Sequence, residues 1–334
     1  MNVIVTGYAG FIGFHLTKKL LNFQNINQIL CIDNFNNYYE VDLKYSRHNE
    51  IINLDTKKKC KFFKIDLSNK KKLFDKMKNF KIDYIFNLAA QAGINYSVSH
   101  PEKYIKSNII GFFNIIELSK EKEIKTLFYA STSSVYGNLN KKKYAEKDLN
   151  NKPLQLYAAT KISNEVLAES YSNLYNFNCV GLRFFTVYGP WGRPDMAIFK
   201  FCKNILNDTP IFIYRNKNKP VFRDFTYVDD IVNSITLLFK EYSKKKYKNL
   251  GFNEVFNIGN GSPLNIEKMI SHLEILLNKK SIKSYQSLKK AEMIKTSCDN
   301  KKLFSKIKFS PKVDIQSGLR KFVSWYKEYY NDKY

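Results

Sequence analysis

NVIVT (2–6) followed directly by GYAGFIG (7–13) is the stretch of this 334-residue chain that decides its fold. The first run is short and apolar, as expected of a strand. Glycines at 7, 10 and 13 then permit a tight turn, close approach of the backbone to a pyrophosphate, and close packing of a helix on a strand. A helix beginning near Phe11 would direct free N–H groups at the phosphates. The stretch therefore predicts a dinucleotide-binding turn formed by Gly7, Gly10 and Gly13.

The alternation of strands and helices continues through the first half of the chain. Further apolar runs predict strands at 28–33, 61–66, 83–90, 125–131 and 178–185. Helical patterns lie near 11–22, 69–78, 101–121 and 155–175. Strands separated by helices indicate a parallel sheet with right-handed crossovers, and continuous apolar runs indicate strands covered on both faces. We therefore expect an α/β fold with a Rossmann-type doubly wound parallel sheet.

The pattern changes after about residue 185. A loop rich in Pro, Gly and Trp, YGPWGRPDM (188–196), is followed by helical patterns near 197–207, 228–242, 264–278 and 314–330. We predict a smaller, interleaved C-terminal substrate domain that comprises 186–224 plus 259–334. The dinucleotide-binding domain would comprise 1–185 plus 225–258.

Composition narrows the functional class. The formal charge is +25, almost all of it from Lys, in a chain that is also rich in Asn and Ile. This pattern favours compositional drift on solvated faces over a dedicated polyanion site. The basic runs contain no aromatic–basic stripe typical of nucleic-acid binding, and no apolar run is long enough to span a membrane. We expect neither a nucleic-acid partner nor a membrane partner.

The five cysteines, at positions 31, 60, 179, 202 and 298, show no CxxC pair and no metal-ligand spacing. The chain is also too long to be a small disulfide scaffold. We expect free thiols in a reducing compartment, a cytoplasmic protein, and no metal site.

Two aspartates end predicted strands and are candidates for contacts with adenosine. Asp33 lies about twenty residues beyond Gly13, where a carboxylate accepts hydrogen bonds from ribose hydroxyls and repels a 2′-phosphate. This position favours NAD over NADP, although a turn or cap residue would also suit it. Asp66 has two interpretations: it contacts the adenine edge, or it caps the helix that begins near Asn69.

Tyr157 and Lys161 form the candidate catalytic pair, because a spacing of four residues places both side chains on one helix face. A Lys161 ammonium would stabilise the phenolate, lower the tyrosine pKa from about 10, and hold the nicotinamide ribose. Thr132 lies in ASTSSVYG (130–137), at the carboxyl end of a predicted strand, where ligands bind in open α/β sheets. Its hydroxyl would steady the reacting oxygen.

These motifs resemble the extended short-chain dehydrogenases/reductases and, more narrowly, the UDP-glucuronate 4-epimerases along nearly the whole chain. The similar stretches include VTGYAGFIGFHL, DNFNNYY, NLAAQAGINYS, YASTSSVYG, LYAATK, LRFFTVYGPWGRPDMAIF and RDFTYVDDIV. The resemblance implies further NAD contacts from Phe11, Ile12, Ala89, Gln91 and Asn108. It also implies a homodimer built on the helices near 101–121 and 155–175.

The reaction implied by the resemblance interconverts UDP-glucuronate and UDP-galacturonate through a 4-keto sugar, with NAD regenerated in each cycle. Related decarboxylases and dehydratases carry a carboxylate after the position of Thr132, whereas this chain has Ser133 and Ser134. Galactose-type epimerases usually show Asn at Thr186. By resemblance, Ser133, Ser134 and Thr186 hold the glucuronate carboxylate, while the alternative for the two serines is a simple turn at a strand end.

Arginine is rare in this chain, and its forked guanidinium suits a diphosphate. Arg193, in the 188–196 loop, and Arg223, which begins RDFTYVDD, are the candidates for the UDP moiety. We interpret Arg183 as structural.

Three departures from the family pattern all fall on substrate binding. Asn95 replaces the usual Arg, Phe222 replaces a common basic residue, and 286–298 differs from the family stretch that helps close over the nucleotide. The alternatives are a UDP-glucose or UDP-N-acetylglucosamine 4-epimerase, then a UDP-glucuronate decarboxylase. From another functional class, an NAD-binding regulatory protein is the alternative.

Overall fold

The computed structural model describes residues 1–149, 152–247 and 250–330. Within these ranges the strands are β1 (Asn2–Thr6), β2 (Gln28–Asp33), β3 (Cys60–Lys64), β4 (Tyr84–Asn87), β5 (Thr126–Thr132), β6 (Asn178–Phe184), β7 (Thr186–Tyr188), β8 (Ile211–Arg215), β9 (Phe222–Arg223), β10 (Phe225–Tyr227), β11 (Asn253–Ile258), β12 (Leu264–Asn265) and β13 (Lys283–Ser287).

The α-helices of the described residues are α1 (Phe11–Leu21), α2 (Val41–Leu54), α3 (Lys70–Met77), α4 (Tyr96–Ser99), α5 (Pro101–Tyr104), α6 (Gly111–Glu121), α7 (Leu156–Tyr175), α8 (Ala197–Leu206), α9 (Val228–Tyr242), α10 (Ile266–Leu277), α11 (Lys301–Ile307) and α12 (Ile315–Tyr330). A π-helical stretch, Ile105–Ile110, joins α5 to α6. A short 3₁₀ turn, Ser133–Tyr136, directly follows β5.

The main sheet has seven strands in the order β3-β2-β1-β4-β5-β6-β11, and every neighbouring pair is parallel. The first six strands follow the order of a doubly wound dinucleotide-binding fold, which confirms the predicted fold class. The order reverses between β1 and β4, so loops leaving these two strands diverge and open a crevice at their carboxyl ends.

Successive residues of a strand point to opposite faces of the sheet, and β1 shows this clearly. Val3 and Val5 lie in one buried apolar cluster, which includes residues of α1 and α9. Ile4 lies in a second cluster, which includes residues of α3 and α6. Both faces of the sheet are therefore covered, as the continuous apolar runs predicted.

A third apolar cluster lies outside the sheet and includes residues of α8, α10 and α12. It carries the substrate part of the division that we propose, 186–224 plus 259–334. Phe225 and Tyr227 also belong to this cluster, whereas Leu303 of α11 packs in the first cluster. Of the helices in the described residues, none is both long and apolar enough to cross a membrane.

Candidate active site

A cavity of about 700 Å³ follows the carboxyl edge of the sheet and continues to the third apolar cluster. Seventeen of the residues predicted from the sequence line it: Gly7, Gly10, Phe11, Ile12, Gly13, Asp33, Asp66, Ala89, Gln91, Thr132, Ser133, Ser134, Tyr157, Lys161, Thr186, Arg193 and Arg223. They come from strand ends of the main sheet and the segments that follow them, from α7 and from elements beyond residue 185, so the fold brings together residues that are up to about two hundred positions apart.

The glycine turn forms the floor of the cavity beneath α1. Gly7 has a φ of +69° and donates its N–H to Ile32 O at 2.7 Å. A Cβ on Gly7 would lie 2.8 Å from the Ala89 nitrogen, and a Cβ on Gly13 would lie 2.1 Å from the Gly7 oxygen. Only glycine fits at these two positions, and the bare backbone leaves room for a pyrophosphate at the start of α1.

Asp33 and Asp66, the predicted adenosine contacts, line the cavity at the end of β2 and just beyond the end of β3. Asp33 accepts hydrogen bonds from Phe35 N at 2.8 Å and Ala9 N at 3.2 Å, so it stabilises a turn while it also lines the cavity. Burial raises the pKa of its carboxyl, against the nearby charges of Lys44 and Arg47. Asp66 accepts from Ser68, and it is Asn69 that caps α3 through Lys72 N. The capping alternative for Asp66 is therefore wrong.

Asn108 is the predicted cofactor residue that does not line the cavity. It is buried in the π-helical stretch, and its amide contacts both backbone groups of Gln91, with Gln91 N donating to Oδ1 at 2.8 Å and Nδ2 donating to Gln91 O at 3.0 Å. Asn108 Nδ2 also donates to Thr160 Oγ1 at 3.1 Å. The Asn108 amide thus fixes the backbone of Gln91, and it is Gln91 that lines the cavity.

Tyr157 and Lys161 lie on α7 and both face the cavity. Burial raises the pKa of Tyr157, while a hydrogen bond with Thr132 and the charge of Arg193 act in the opposite direction. Burial lowers the pKa of Lys161 to about 8, and the nearby Glu165 opposes this shift. Lys161 Nζ donates to Ala130 O at 2.9 Å. The lowering of the tyrosine pKa expected from Lys161 is therefore not found: burial dominates the pKa of Tyr157, and the Lys161 ammonium donates to a carbonyl.

Glu165 and Arg183 form a buried ion pair close to Lys161, which the sequence pattern did not predict. Glu165, one turn further along α7, accepts from Arg183 Nε at 2.9 Å and Arg183 Nη2 at 2.6 Å. Glu165 also accepts from Ser131 Oγ at 2.5 Å, directly before Thr132. The structural interpretation of Arg183 fits this contact: the ion pair joins α7 to β6, and the Ser131 hydrogen bond joins α7 to the carboxyl end of β5.

Ser133 and Ser134 lie in the 3₁₀ turn that follows β5. Ser134 N and Thr132 Oγ1 are 3.2 Å apart, with the amide as donor, and the Thr132 and Ser134 hydroxyls are 3.3 Å apart. Thr186 lines the same part of the cavity from β7. The turn alternative and the binding interpretation of the serines are compatible, because the turn itself presents the hydroxyls to the cavity.

Both candidate arginines line the cavity, and each contacts a carboxylate. Arg193 donates to Asp195 at 2.9 Å and 2.5 Å, and its charge acts on Tyr157. Although burial opposes it, Asp195 raises the pKa of Arg193. Arg223 donates to Glu292 Oε2 at 3.1 Å, and burial lowers its pKa. Arg193 therefore lies towards the reacting tyrosine.

The segment that departs from the family pattern also lines the cavity, through Leu288, Lys289, Glu292, Met293 and Thr296. Asn95, another departure, donates to Glu292 Oε1 at 3.0 Å. The aromatic residues Phe212 and Tyr214 of β8 line the same wall and were not predicted. In IFIYR (211–215) these two residues alternate with isoleucine, so the aromatic side chains share one face of the strand. That shared face was the available signal.

Proteins of similar sequence and structure are known, and they show the family. Residues 3–259 match the sequence model of the NAD dependent epimerase/dehydratase family. The chain is 44% identical to Protein CapI of Staphylococcus aureus over 99% of each chain. It is 38% identical to UDP-glucuronate 4-epimerase 2 of Arabidopsis thaliana, over 99% of this chain and 76% of that protein. It also resembles the crystal structure of UDP-glucuronic acid 4-epimerase from Bacillus cereus in complex with UDP-glucuronic acid and NAD, with a TM-score of 0.87, 32% identity, and coverage of 99% and 100%.

The fold, the glycine turn and the Tyr157–Lys161 pair define an enzyme built on a dinucleotide-binding sheet. The chain belongs to the NAD dependent epimerase/dehydratase family.

Proposed function

We propose that the protein is an NAD-dependent nucleotide-sugar 4-epimerase that interconverts UDP-glucuronate and UDP-galacturonate. The observation that carries the choice of substrate is the hydroxyl cluster of Thr132, Ser133 and Ser134 beside Tyr157, where the sequence supplies donors and no carboxylate. Hydroxyls can donate to a C6 carboxylate, whereas an acid at these positions would repel it. The names of the Arabidopsis and Bacillus proteins support the same substrate.

The residues of the cavity fit NAD along its length. The glycine turn and the start of α1 would hold the pyrophosphate, Asp33 the adenosine ribose, and Lys161 the nicotinamide ribose. Bound NAD would supply the acceptor, and then the donor, of a hydride at C4 of the sugar. The cavity would hold the dinucleotide and the sugar next to each other, and this proximity would contribute to the rate.

Tyr157 would act as the acid–base group at the C4 hydroxyl. In the phenolate form it removes the hydroxyl proton as the C4 ketone forms, and as the phenol it returns the proton after the ketone has turned its other face. The Thr132 hydroxyl lies within hydrogen-bonding distance of the Tyr157 phenol oxygen and can stabilise it. Burial raises the pKa of Tyr157 and the charge of Arg193 lowers it, and the positive charges of Lys161 and of NAD would add to the effect of Arg193.

We also propose that the protein is a cytoplasmic homodimer. Helices α6 and α7 and the π-helical stretch carry exposed apolar side chains that would be buried in a four-helix contact between two copies: Ile110 is 44% exposed, Val166 61% and Leu174 66%. Light scattering of wild-type protein should give the mass of a dimer, and Val166→Glu should give a monomer. Ile275→Glu, at a position that is 75% exposed on α10, is the matched control.

The experiment that tests the reaction is incubation of purified protein with UDP-glucuronate, without a reductant, followed by proton NMR of the anomeric and H4 signals. Conversion to an equilibrium mixture with UDP-galacturonate is the expected result. UDP-glucose runs in parallel, and the pair Ser133→Ala and Ser134→Ala is compared with Ser170→Ala, an exposed serine on α7.

Each other outcome points to a different conclusion. Turnover of UDP-glucose alone would leave the reaction class standing and remove the carboxylate role of the hydroxyl cluster. Release of carbon dioxide would indicate a decarboxylase. No reaction of either substrate with added NAD would favour another nucleotide sugar or an NAD-binding regulatory protein.

A further inference from the structure

We propose that Arg47 is a positioning residue that joins the glycine turn to the loop carrying Arg193, so that dinucleotide and nucleotide sugar bind cooperatively. The inference rests on the proposed function for the identity of the two ligands. It extends that function, because it identifies the residue through which ligand binding in one half of the cavity affects ligand binding in the other half.

Arg47 contacts three separate segments with one guanidinium. It lies on α2, fully buried. Its Nη1 donates to Ala9 O and to Tyr39 Oη, both at 2.8 Å. Its Nη2 donates to Trp191 O at 2.7 Å and to Gly192 O at 3.2 Å. The rigid fork of the guanidinium thus fixes the distance between the cofactor turn and the loop before Arg193.

The first of these contacts is made at the centre of the cofactor turn. Ala9 lies between Gly7 and Gly10, and its peptide groups are held on two sides. Its N–H donates to Asp33 Oδ2 at 3.2 Å, and its carbonyl accepts from Arg47. A dinucleotide that engages both the turn and Asp33 would therefore restrict Ala9, the residue whose carbonyl accepts from Arg47.

The second contact holds a backbone conformation that needs support. Trp191 has a φ of +60°, which is rare for a bulky residue with a Cβ. Its carbonyl is held by Arg47, and His15 of α1 bonds to the preceding carbonyl, Pro190 O, at 2.9 Å. Since Arg193 is two residues beyond Trp191, the orientation of its guanidinium depends on these bonds.

A second set of contacts joins Tyr38, which lies nine residues before Arg47, to the loop that carries Arg193. Tyr38 Oη donates to Asp195 Oδ2 at 3.0 Å, and Asp195 in turn holds both arms of Arg193. The charge of Arg193 acts on Tyr157. The chain of contacts thus leads from the ribose-binding carboxylate, through the glycine turn and Arg47, to the group that faces the reacting tyrosine.

The burial of Arg47 is hard to explain by stability alone. Its hydrogen bonds are to carbonyls and a phenol rather than to a carboxylate, and its Nε has no hydrogen-bond partner among the described residues. A buried donor without a partner costs stability, and an apolar side chain of similar length would fill the space at lower cost. The geometry therefore points to a function for the fork.

The test is a coupling measurement that needs no turnover. Calorimetry gives the dissociation constant of UDP for protein saturated with NAD and for protein stripped of NAD. We expect NAD to tighten UDP binding about 5-fold or more in wild type, and Arg47→Lys, which keeps the charge and loses the fork, to bring the ratio close to 1. Arg320→Lys, at an exposed position on α12, is the matched control and should keep the wild-type ratio.

The ratio of the UDP dissociation constants without and with NAD separates positioning from a purely structural role. Loss of stability alone lowers the melting temperature and leaves this ratio unchanged. A wild-type ratio of 1, or an unchanged ratio in Arg47→Lys, would overturn the proposal. Should Arg47→Lys fail to fold, Arg47→Gln removes both the fork and the buried charge but can still donate a hydrogen bond, and a ratio close to 1 supports the proposal while an unchanged ratio overturns it. Failure to epimerise UDP-glucuronate would leave the binding result intact, so the two proposals fail separately.

Discussion

Replacing Glu165 by Gln should destabilise the protein by about 3–5 kcal/mol, because it leaves the buried guanidinium of Arg183 without a compensating charge. The two side chains are 6% and 3% exposed, and they are joined by hydrogen bonds of 2.9 Å and 2.6 Å. Arg183 keeps two neutral acceptors, Tyr136 Oη at 2.9 Å and Glu146 O at 2.8 Å. These remaining bonds place the expected loss at the lower end of the range, about 3 kcal/mol.

This loss converts into a measurable change of melting temperature. An unfolding entropy of about 2.1 cal/mol/K per residue, over 334 residues, gives roughly 0.7 kcal/mol/K, so a loss of about 3 kcal/mol lowers the melting temperature by about 4 °C. Calorimetry at neutral pH measures the change. Glu169→Gln, one turn further along α7 at an exposed position, is the control and should stay within about 0.5 kcal/mol of wild type. Equal melting temperatures for the two variants would refute the reasoning.

The same substitution should also change the titration of Lys161. Burial holds its pKa at about 8 and Glu165 opposes that shift, so removal of the carboxylate lowers the pKa further. Because the folded pKa lies below the unfolded value of about 10.4, the unfolded chain binds more protons between the two values and stability rises with pH across that window. In Glu165→Gln the window should begin at lower pH. If turnover needs the ammonium, the alkaline limb of the pH–rate profile should move to lower pH as well, and an unmoved limb would contradict this role of Glu165.

Three further predictions concern the cofactor and the acid–base group. Gly13→Ala places a Cβ 2.1 Å from the Gly7 oxygen, so the purified protein should contain much less NAD than wild type, measured by absorbance after denaturation. Tyr157→Phe should retain NAD but lose about 10²–10⁴-fold in kcat, and wild-type turnover by this variant would exclude Tyr157 as the acid–base group. Asp33→Asn keeps an acceptor for Ala9 N but removes the charge, so the ratio of the NADP and NAD dissociation constants should fall by about tenfold, about 1.4 kcal/mol, and an unchanged ratio would show that the charge does not set the preference.

The sheet could be predicted because its strands are continuous apolar runs, whereas helix α2 (Val41–Leu54) could not. Its buried side chains are Leu43, Lys44, Arg47 and Ile51, so two of the four residues on its inner face are cations. A search for apolar residues at helical spacing therefore finds too few. The two cations are buried because they bond to main-chain and side-chain oxygens at the cavity, Lys44 to Asn36 and Arg47 to Ala9 and Trp191.

Strand ends were less predictable than strand centres, as β4 shows. The apolar run at 83–90 predicts a strand of eight residues, but the strand ends at Asn87. Beyond it, Ala89 N donates to Thr6 Oγ1 at 3.1 Å, and the backbone passes close above Gly7. The chain leaves the sheet there because it forms a wall of the cavity, which no local pattern of apolar residues records.

The residues expected to touch ligands could be predicted from motifs, since glycine spacing and a tyrosine–lysine pair carry their own chemistry. The acids that contact other protein groups were missed, namely Glu165, Asp195 and Glu292. Arg223 and Glu292 are 69 positions apart, and Arg183 and Glu165 lie on different elements. A sequence gives the number of acids and bases but not which of them meet, because their pairing depends on how the elements pack.

Both cavity arginines are paired with internal carboxylates. These pairs bear on why we propose UDP-glucuronate rather than UDP-glucose as the substrate. Arg193 contacts Asp195 and Arg223 contacts Glu292, so each arginine has an anionic partner before any ligand arrives. A ligand that takes the place of one carboxylate gains only the difference between two similar charge pairs, which is small. UDP-glucose brings its anionic charge at the diphosphate alone, whereas UDP-glucuronate adds a carboxylate at the far end of the sugar. A carboxylate on the proposed substrate would therefore gain most from donors that are not already paired with an acid, and the hydroxyls of Thr132, Ser133 and Ser134, which line the cavity, would supply such donors.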